Sequence, residues 1–104
     1  MRIKTYKTSG GKDLILKYID DLPREEMLEG YSIIKRLKYD GLNGLLTRQI
    51  KGKVWEIKFY RHNRIFYVVV EKDFIYLLHA CKKQKGKAEK FEVDTALKRA
   101  KEIL

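Results

Sequence analysis

The chain has 104 residues, 44% of them hydrophobic, which is enough for one cored domain and too apolar for a disordered segment. Its 24 Lys and Arg against 14 Asp and Glu leave a net charge of +10, so the expected partner is a polyanion: nucleic acid first, an acidic protein second, an anionic membrane last. No apolar run spans a bilayer, Met1 to Tyr6 alternates polar and apolar where a secretion signal is continuously apolar, and a single cysteine, Cys81, suits a reducing cytoplasm.

In chain order, residues 1–7 read as a short strand, followed by turn residues Thr8-Ser9-Gly10-Gly11. From Asp13 to Leu22, Ile15, Tyr18, Ile19 and Leu22 fall at helical spacing. Pro23 stops this helix and suits the start of the next, whose first turn carries Glu25 and Glu26, the charge sign a helix N-terminus favours. The second helix is expected over Arg24 to Tyr39, with Met27, Tyr31, Ile34 and Leu37 as its apolar stripe and Gly41 as its left-handed cap. From Thr47 to Cys81 the pattern is that of strands. Residues 53–60 alternate, while 64–70 and 74–81 are apolar on both faces, as in central strands. Lys82 to Lys87 is a basic loop. A last helix covers Ala88 to Leu104, with Val93, Ala96, Leu97, Ala100 and Ile103 or Leu104 turned inward. The expected fold is therefore α+β over residues 1–104, an antiparallel sheet packed by two N-terminal helices and one C-terminal helix.

Strand parity sorts the side chains. A three-residue turn at Arg61-His62-Asn63 pairs Tyr60 with Arg64. Trp55, Ile57, Phe59, Ile65, Tyr67 and Val69 then form a core face, and Glu56, Lys58, Tyr60, Arg64, Phe66 and Val68 the other. A two-residue turn would set Arg64 opposite Phe59 on the apolar face, which is costly for a guanidinium. A two-residue turn at Lys72-Asp73 pairs Glu71 with Phe74 and Phe66 with His79. His79 thereby joins Lys58 and Arg64, with Cys81 near Arg64 and the Lys82-Lys83-Gln84-Lys85 loop at the end of the face.

Cations interleaved with rings suit single-stranded RNA, the cations meeting phosphates and the rings stacking on bases. Lys51, Lys53, Tyr60, Arg61, Lys82, Lys85 and Lys87 are the expected contacts. RNA also carries its own nucleophile, the 2′-hydroxyl, so cleavage needs only a base, a stabiliser of the phosphorane and an acid for the leaving 5′-oxygen, with no metal. Arg64 and the lysines are the expected stabilisers. Lys58, Lys82, Lys83 or His79 are candidates for proton transfer, and Glu56 either accepts a proton or orients a lysine. His62, in a turn, reads as plain surface, Trp55 as core and Cys81 as a small packing residue. One Cys and two separated His do not make a zinc site, and no metal or cofactor is expected.

Lys53-Val54-Trp55-Glu56-Ile57-Lys58, then Arg64-Ile65-Phe66-Tyr67-Val68-Val69, then Leu77-Leu78-His79-Ala80-Cys81-Lys82-Lys83, then Ala96-Leu97-Lys98-Arg99-Ala100 together resemble the RelE/ParE superfamily of type II toxin–antitoxin toxins, most of all its phage-derived, HigB-like branch. The resemblance covers essentially the whole chain. It implies a microbial-RNase-like sheet, metal-independent cleavage of mRNA on the ribosome, and neutralisation by a cognate antitoxin, often a helix-turn-helix protein, in a complex that can be a heterotetramer. By position it gives Arg64 the phosphorane, sets Lys58 and Lys83 at basic positions of RelE-like enzymes, and matches His79 to the branch's Leu-Leu-His. The catalytic tyrosine of RelE-like enzymes has no clear match, Phe91 being the nearest ring, and Glu56 stands where those enzymes carry a lysine. Competing readings are a ParE-like gyrase inhibitor and a noncatalytic RNA- or ribosome-binding module. Arg64→Ala is expected to abolish toxicity and leave the fold intact.

Overall fold

The computed structural model describes residues 1–104, apart from the side chain of Ala88, the expected first residue of the last helix, which lies outside the described residues. The elements run β1 (Arg2–Thr5), α1 (Leu14–Asp20), α2 (Arg24–Asp40), β2 (Thr47–Lys51), β3 (Val54–Phe59), β4 (Asn63–Glu71), β5 (Phe74–Lys82) and α3 (Gly86–Ile103). No helix is long and apolar enough to cross a membrane.

The five strands form one sheet in the order β1-β5-β4-β3-β2. β2 to β5 meander antiparallel, but β1 pairs with β5 in parallel, with Arg2 opposite Phe74 and Thr5 opposite Leu77. The sheet is thus mixed rather than antiparallel. The cause is the connection: α1 and α2 carry the chain from β1 across one face to the far edge, and the returning meander brings β5 alongside β1 in the same direction.

The helices start and stop where local chemistry demands. Asp13 caps α1, its Oδ1 accepting from the amides of Ile15 and Leu16 at 3.0 Å each, while Oδ2 accepts from Thr5 Oγ1. Pro23 precedes α2, and Gly41 ends it with φ 66°. Ile15 and Ile19 of α1 and Ile33 and Leu37 of α2 bury themselves on Ile57, Phe59, Ile65, Tyr67, Ile75 and Leu77. Tyr31, expected in the buried stripe, instead lies at its edge, 38% exposed, with its hydroxyl on Asp20. Gly30 and Ile33 take the inward positions. The opposite face, with Val54, Phe66, Val68, Leu78 and Cys81, is covered by Ala96 and Ala100 of α3.

The β3–β4 faces follow the expected parity, but the register is two residues away. Lys58, not Tyr60, pairs with Arg64, and Phe59 pairs with Asn63. The loop is Tyr60-Arg61-His62, with Tyr60 and Arg61 at φ 43° and 65°, a conformation that costs roughly 1–2 kcal/mol per residue. Asn63, the residue most suited to that conformation, is held in the strand. It is fully buried, accepts from Tyr18 Oη at 2.6 Å and donates to Glu26 Oε1 at 2.8 Å. Burial raises the Tyr18 pKa, so its hydroxyl remains a donor. Between β4 and β5 the register slips near Phe66/Tyr67 and again near Val69/Glu71. The slips cancel, so Glu71 opposes Phe74, Phe66 opposes His79 and Arg64 opposes Cys81, as expected. Trp55 departs from expectation: it shares the face of Ile57 and Phe59 but stands outside the buried cluster under α1 and α2, and is 37% exposed.

Gly30 sets the α1–α2 crossing. A Cβ there would sit 3.0 Å from Ile19 Cγ2 and 3.3 Å from Phe59 Cε2. Gly30→Ala should therefore lower stability by about 1–3 kcal/mol through overpacking, although alanine is the better helix former by about 1 kcal/mol. Urea unfolding reads this directly; an unchanged or higher midpoint would show that the crossing relaxes freely.

Candidate functional site

The sheet face under α3 brings together Glu56 and Lys58 from β3, Arg64 and Phe66 from β4, and His79 and Cys81 from β5. The Leu78–His79 step is where the β5 ladder slips. It lets Leu78 pack with Phe66 while His79 also stacks on Phe66, ring centroids 6.1 Å apart and 10° from parallel.

Arg64 is the centre. Its guanidinium lies 4.7 Å over the Phe66 ring and is 1% exposed. Nε donates to Glu56 Oε2 at 2.5 Å, and Nη1 to Glu89 Oε2 on α3 at 2.5 Å. Nη2 is buried with no partner among the described residues. Glu56 is itself fully buried, and Arg48 Nη2 approaches its Oε1 at 3.1 Å, within ion-pair range but not aligned for a hydrogen bond. Desolvation pulls the Arg64 pKa down, but the hydrogen bonds and charges of Glu89 and Glu56 outweigh it and raise the value overall. The open basic face expected from the sequence is therefore a closed one: α3 lies over Arg64, and two carboxylates neutralise it.

His79 has a second carboxylate of α3. Nε2 lies 2.7 Å from Glu92 Oε2, and Nδ1 lies 3.2 Å from Arg99 Nη1, which also donates to the Leu78 carbonyl at 2.9 Å. A guanidinium only donates, so the network assigns Nδ1 as acceptor and places the proton of a neutral ring on Nε2, toward Glu92. Burial is the largest influence on the His79 pKa and lowers it; Glu92 opposes this, and the charges of Arg99 and Arg64 add to it. Arg99 in turn lies 4.5 Å over Tyr6, whose hydroxyl donates to Glu102 at 2.7 Å. Burial, Glu92 and Glu89 push the Cys81 thiol up despite Arg64, so the thiol stays protonated and is a poor nucleophile.

His79, Cys81 and Glu92 place three donor atoms within 4.8 Å of one another, a spacing a metal ion could use. The hydrogen bonding opposes it. A metal on Nε2 would move the ring proton to Nδ1, where it would face the Arg99 donor. The donor set fits an ion-paired neutral histidine better than a metal centre.

The other expected residues divide by position. Lys58 is half-buried beside Arg64. Lys83 is exposed, its amide bonded to the His62 carbonyl at 2.7 Å, which ties the loop after β5 to the Tyr60-Arg61-His62 turn. Arg61, His62, Lys85 and Lys87 are exposed at the same end of the sheet. Two of the expected contacts there are already engaged: Lys82 with Glu26 at 2.7 Å and the Tyr60 hydroxyl with Glu25 at 2.9 Å. Lys51 and Lys53 lie at the β2–β3 turn, at the opposite end of β3 and roughly 20 Å from this cluster. Phe91 is 67% exposed and lines a cavity with Tyr6, Lys98 and Arg99. The sequence reading missed Arg48, Glu89, Glu92 and Arg99. The signal for the two acids was present, because Glu89 and Glu92 extend the inward 93–96–100 stripe of α3 by helical spacing.

A protein-family model described as "Phage derived protein Gp49-like (DUF891)" matches residues 17–101. The chain belongs to that family, a toxin-like family related to RelE and HigB, and membership implies an antitoxin partner. No curated protein matches the chain.

Two predictions come from this geometry. Arg64→Ala, expected from sequence to leave the fold intact, strands the buried Glu56 and should cost about 3–5 kcal/mol; adding Glu56→Gln should recover part of it in chemical denaturation. Equal stability of Arg64→Ala and wild type would mean that the cluster contributes nothing. The second concerns acid. A depressed His79 pKa means that the folded chain binds fewer protons than the unfolded one, so stability is present above the ordinary value of 6.5 and is lost as pH falls below it. Melting temperatures should decline between about pH 6.5 and 5 in wild type and stay nearly flat in His79→Gln over the same range.

Proposed function

We propose that the chain is the toxin of a type II toxin–antitoxin pair that acts in the cytoplasm as a metal-independent mRNA endonuclease on the ribosome. The observation that carries the reading is the location of Arg64: a buried guanidinium on the sheet face, next to Lys58 and one stacked ring from His79, at the end of the sheet where Arg61, Lys83, Lys85 and Lys87 are exposed. The 2′-hydroxyl attacks the adjacent phosphorus, a 2′,3′-cyclic phosphate forms and the 5′-oxygen leaves with a proton. Arg64 offers a planar fork to the phosphorane oxygens. Lys58 and His79 are the proton-handling candidates, with Lys83 beside the loop, and Glu56 orients Arg64 through Nε.

One observation favours a second reading, a noncatalytic RNA- or ribosome-binding module. In the closed state Arg64 is already neutralised by Glu56 and Glu89, and the His79 lone pair faces Arg99 rather than solvent. Cleavage therefore requires α3 to yield.

Primer extension on transcripts from cells expressing the chain separates the readings. Endonuclease action gives new 5′ ends inside translated codons and none in transcripts barred from initiation. Growth arrest with intact transcripts and damaged DNA would support a gyrase poison instead, and growth without arrest the noncatalytic module. Arg64→Lys keeps the charge beside Glu56 but loses the fork, and is expected to lower cleavage at least about 100-fold while the protein stays folded by circular dichroism. Retention of full cleavage by Arg64→Lys would remove the guanidinium from the chemistry.

A further inference from the structure

Arg64 presents an unusual combination: a 1% exposed cation with one nitrogen bonded within the sheet, one bonded to Glu89 of α3, and one without a partner among the described residues. A buried donor without a partner costs about 1–3 kcal/mol. Nη1 and Nη2 together form the end-on fork of the guanidinium, and Glu89 fills only half of it. A phosphodiester has two free oxygens at the spacing of that fork. It would take both nitrogens, leave the Glu56 bond on Nε undisturbed and replace one negative charge with another.

The first turn of α3, which carries Glu89, is the weakest part of the helix. Lys85 occupies the N-cap and its side chain caps no amide. Gly86 opens the helix at φ 61°, a left-handed conformation that only glycine adopts without strain. Lys85 and Lys87 put positive charge at the helix end where it is least favoured, and Glu89 is the first turn's acid. Further along, Glu92 is held by His79, and Ala96 and Ala100 are buried on Phe66, Val68 and Leu78. The polar beginning can open while the apolar remainder stays docked.

We propose that Glu89 is a placeholder for an RNA phosphate: the first turn of α3 is a plug over Arg64, and a single-stranded RNA opens it by displacing the Glu89 carboxylate from the guanidinium. The exposed Lys83, Lys85 and Lys87 draw the polyanion to the plug. Without RNA the site stays closed, so the guanidinium is kept from other cellular anions. The inference rests on the RNA reading given above, but it concerns access rather than cleavage.

The test uses a 2′-O-methyl RNA 12-mer, which cannot be cut, so binding is read apart from activity. Fluorescence anisotropy should show Glu89→Gln binding roughly tenfold tighter than wild type, the size of effect expected when an occluding group is removed. Glu71→Gln, which makes the same charge change on an exposed residue at the far end of β4, should differ from wild type by less than about twofold. In the unmodified protein, adding the 12-mer should speed amide hydrogen exchange at 87–91 and leave 93–103 protected. Glu89→Gln binding no tighter than Glu71→Gln, or unchanged or slowed exchange at 87–91 in the bound wild type, would overturn the plug. No binding by wild type or either variant would overturn the RNA reading and the plug with it. Tighter binding by Glu89→Gln in a chain that never cuts mRNA in cells would keep the plug and discard the endonuclease.

Discussion

The contact between Arg64 and its two carboxylates links elements that are far apart in the chain. Glu56 belongs to β3, Arg64 to β4 and Glu89 to α3, with Arg48 of β2 at the outer edge. Buried charges are tolerated when paired and hydrogen-bonded, and their desolvation means that such a cluster adds little net stability compared with apolar packing. Its effect is on register. α3 could slide along an apolar groove with small loss, but a slide of one turn would take Glu89 off Arg64 and Glu92 off His79 together. The cluster thus fixes where the helix sits rather than how tightly it sits.

Two kinds of contact divide α3 along its length. Its C-terminal half uses small residues, Ala96 and Ala100, which let the helix backbone approach Phe66, Val68 and Leu78 closely. Its N-terminal half uses Glu89 and Glu92, whose partners are cations or a titratable ring. Apolar burial is insensitive to salt and nearly so to pH, whereas the polar half responds to both. An anion that competes for Arg64, or a proton that reaches His79, acts on the same half of the same helix.

The fold was largely legible because each element carries its own local signal. The break at Pro23, the cap at Gly41, the period-2 runs and the 93–96–100 stripe each specify structure over a few residues. The parallel pairing of β1 was not legible, since it depends on where the two helices deliver the chain. The β3–β4 register was missed because turns at Arg61-His62-Asn63 and at Tyr60-Arg61-His62 leave every residue on the same face, so parity does not separate them. Tertiary bonds to Tyr18 and Glu26 hold Asn63 in the strand and push the strain onto Tyr60 and Arg61. For the site, parity alone brought Lys58, Arg64, His79 and Cys81 onto one face. It could not say that the face is covered, because burial of an arginine is decided by the acids of another element. Reading Glu89 and Glu92 as part of the inward stripe of α3 would have supplied them.

The two ends of the sheet also bear differently on any polyanion. Lys83, Lys85 and Lys87 flank the start of α3, and Arg61 lies at the same end of the sheet but beside Glu29 and Arg36 of α2, whereas Lys51 and Lys53 lie at the far end of β3. Their separation of roughly 20 Å exceeds the Debye length of about 8 Å at physiological salt, so the far lysines add little attraction at Arg64. They contribute only if the same strand of RNA, or a ribosomal surface, extends across the sheet to meet them. A short oligonucleotide therefore senses the Arg64 end alone, and a difference in salt dependence between short and long RNA would be the electrostatic signature of contact at both ends.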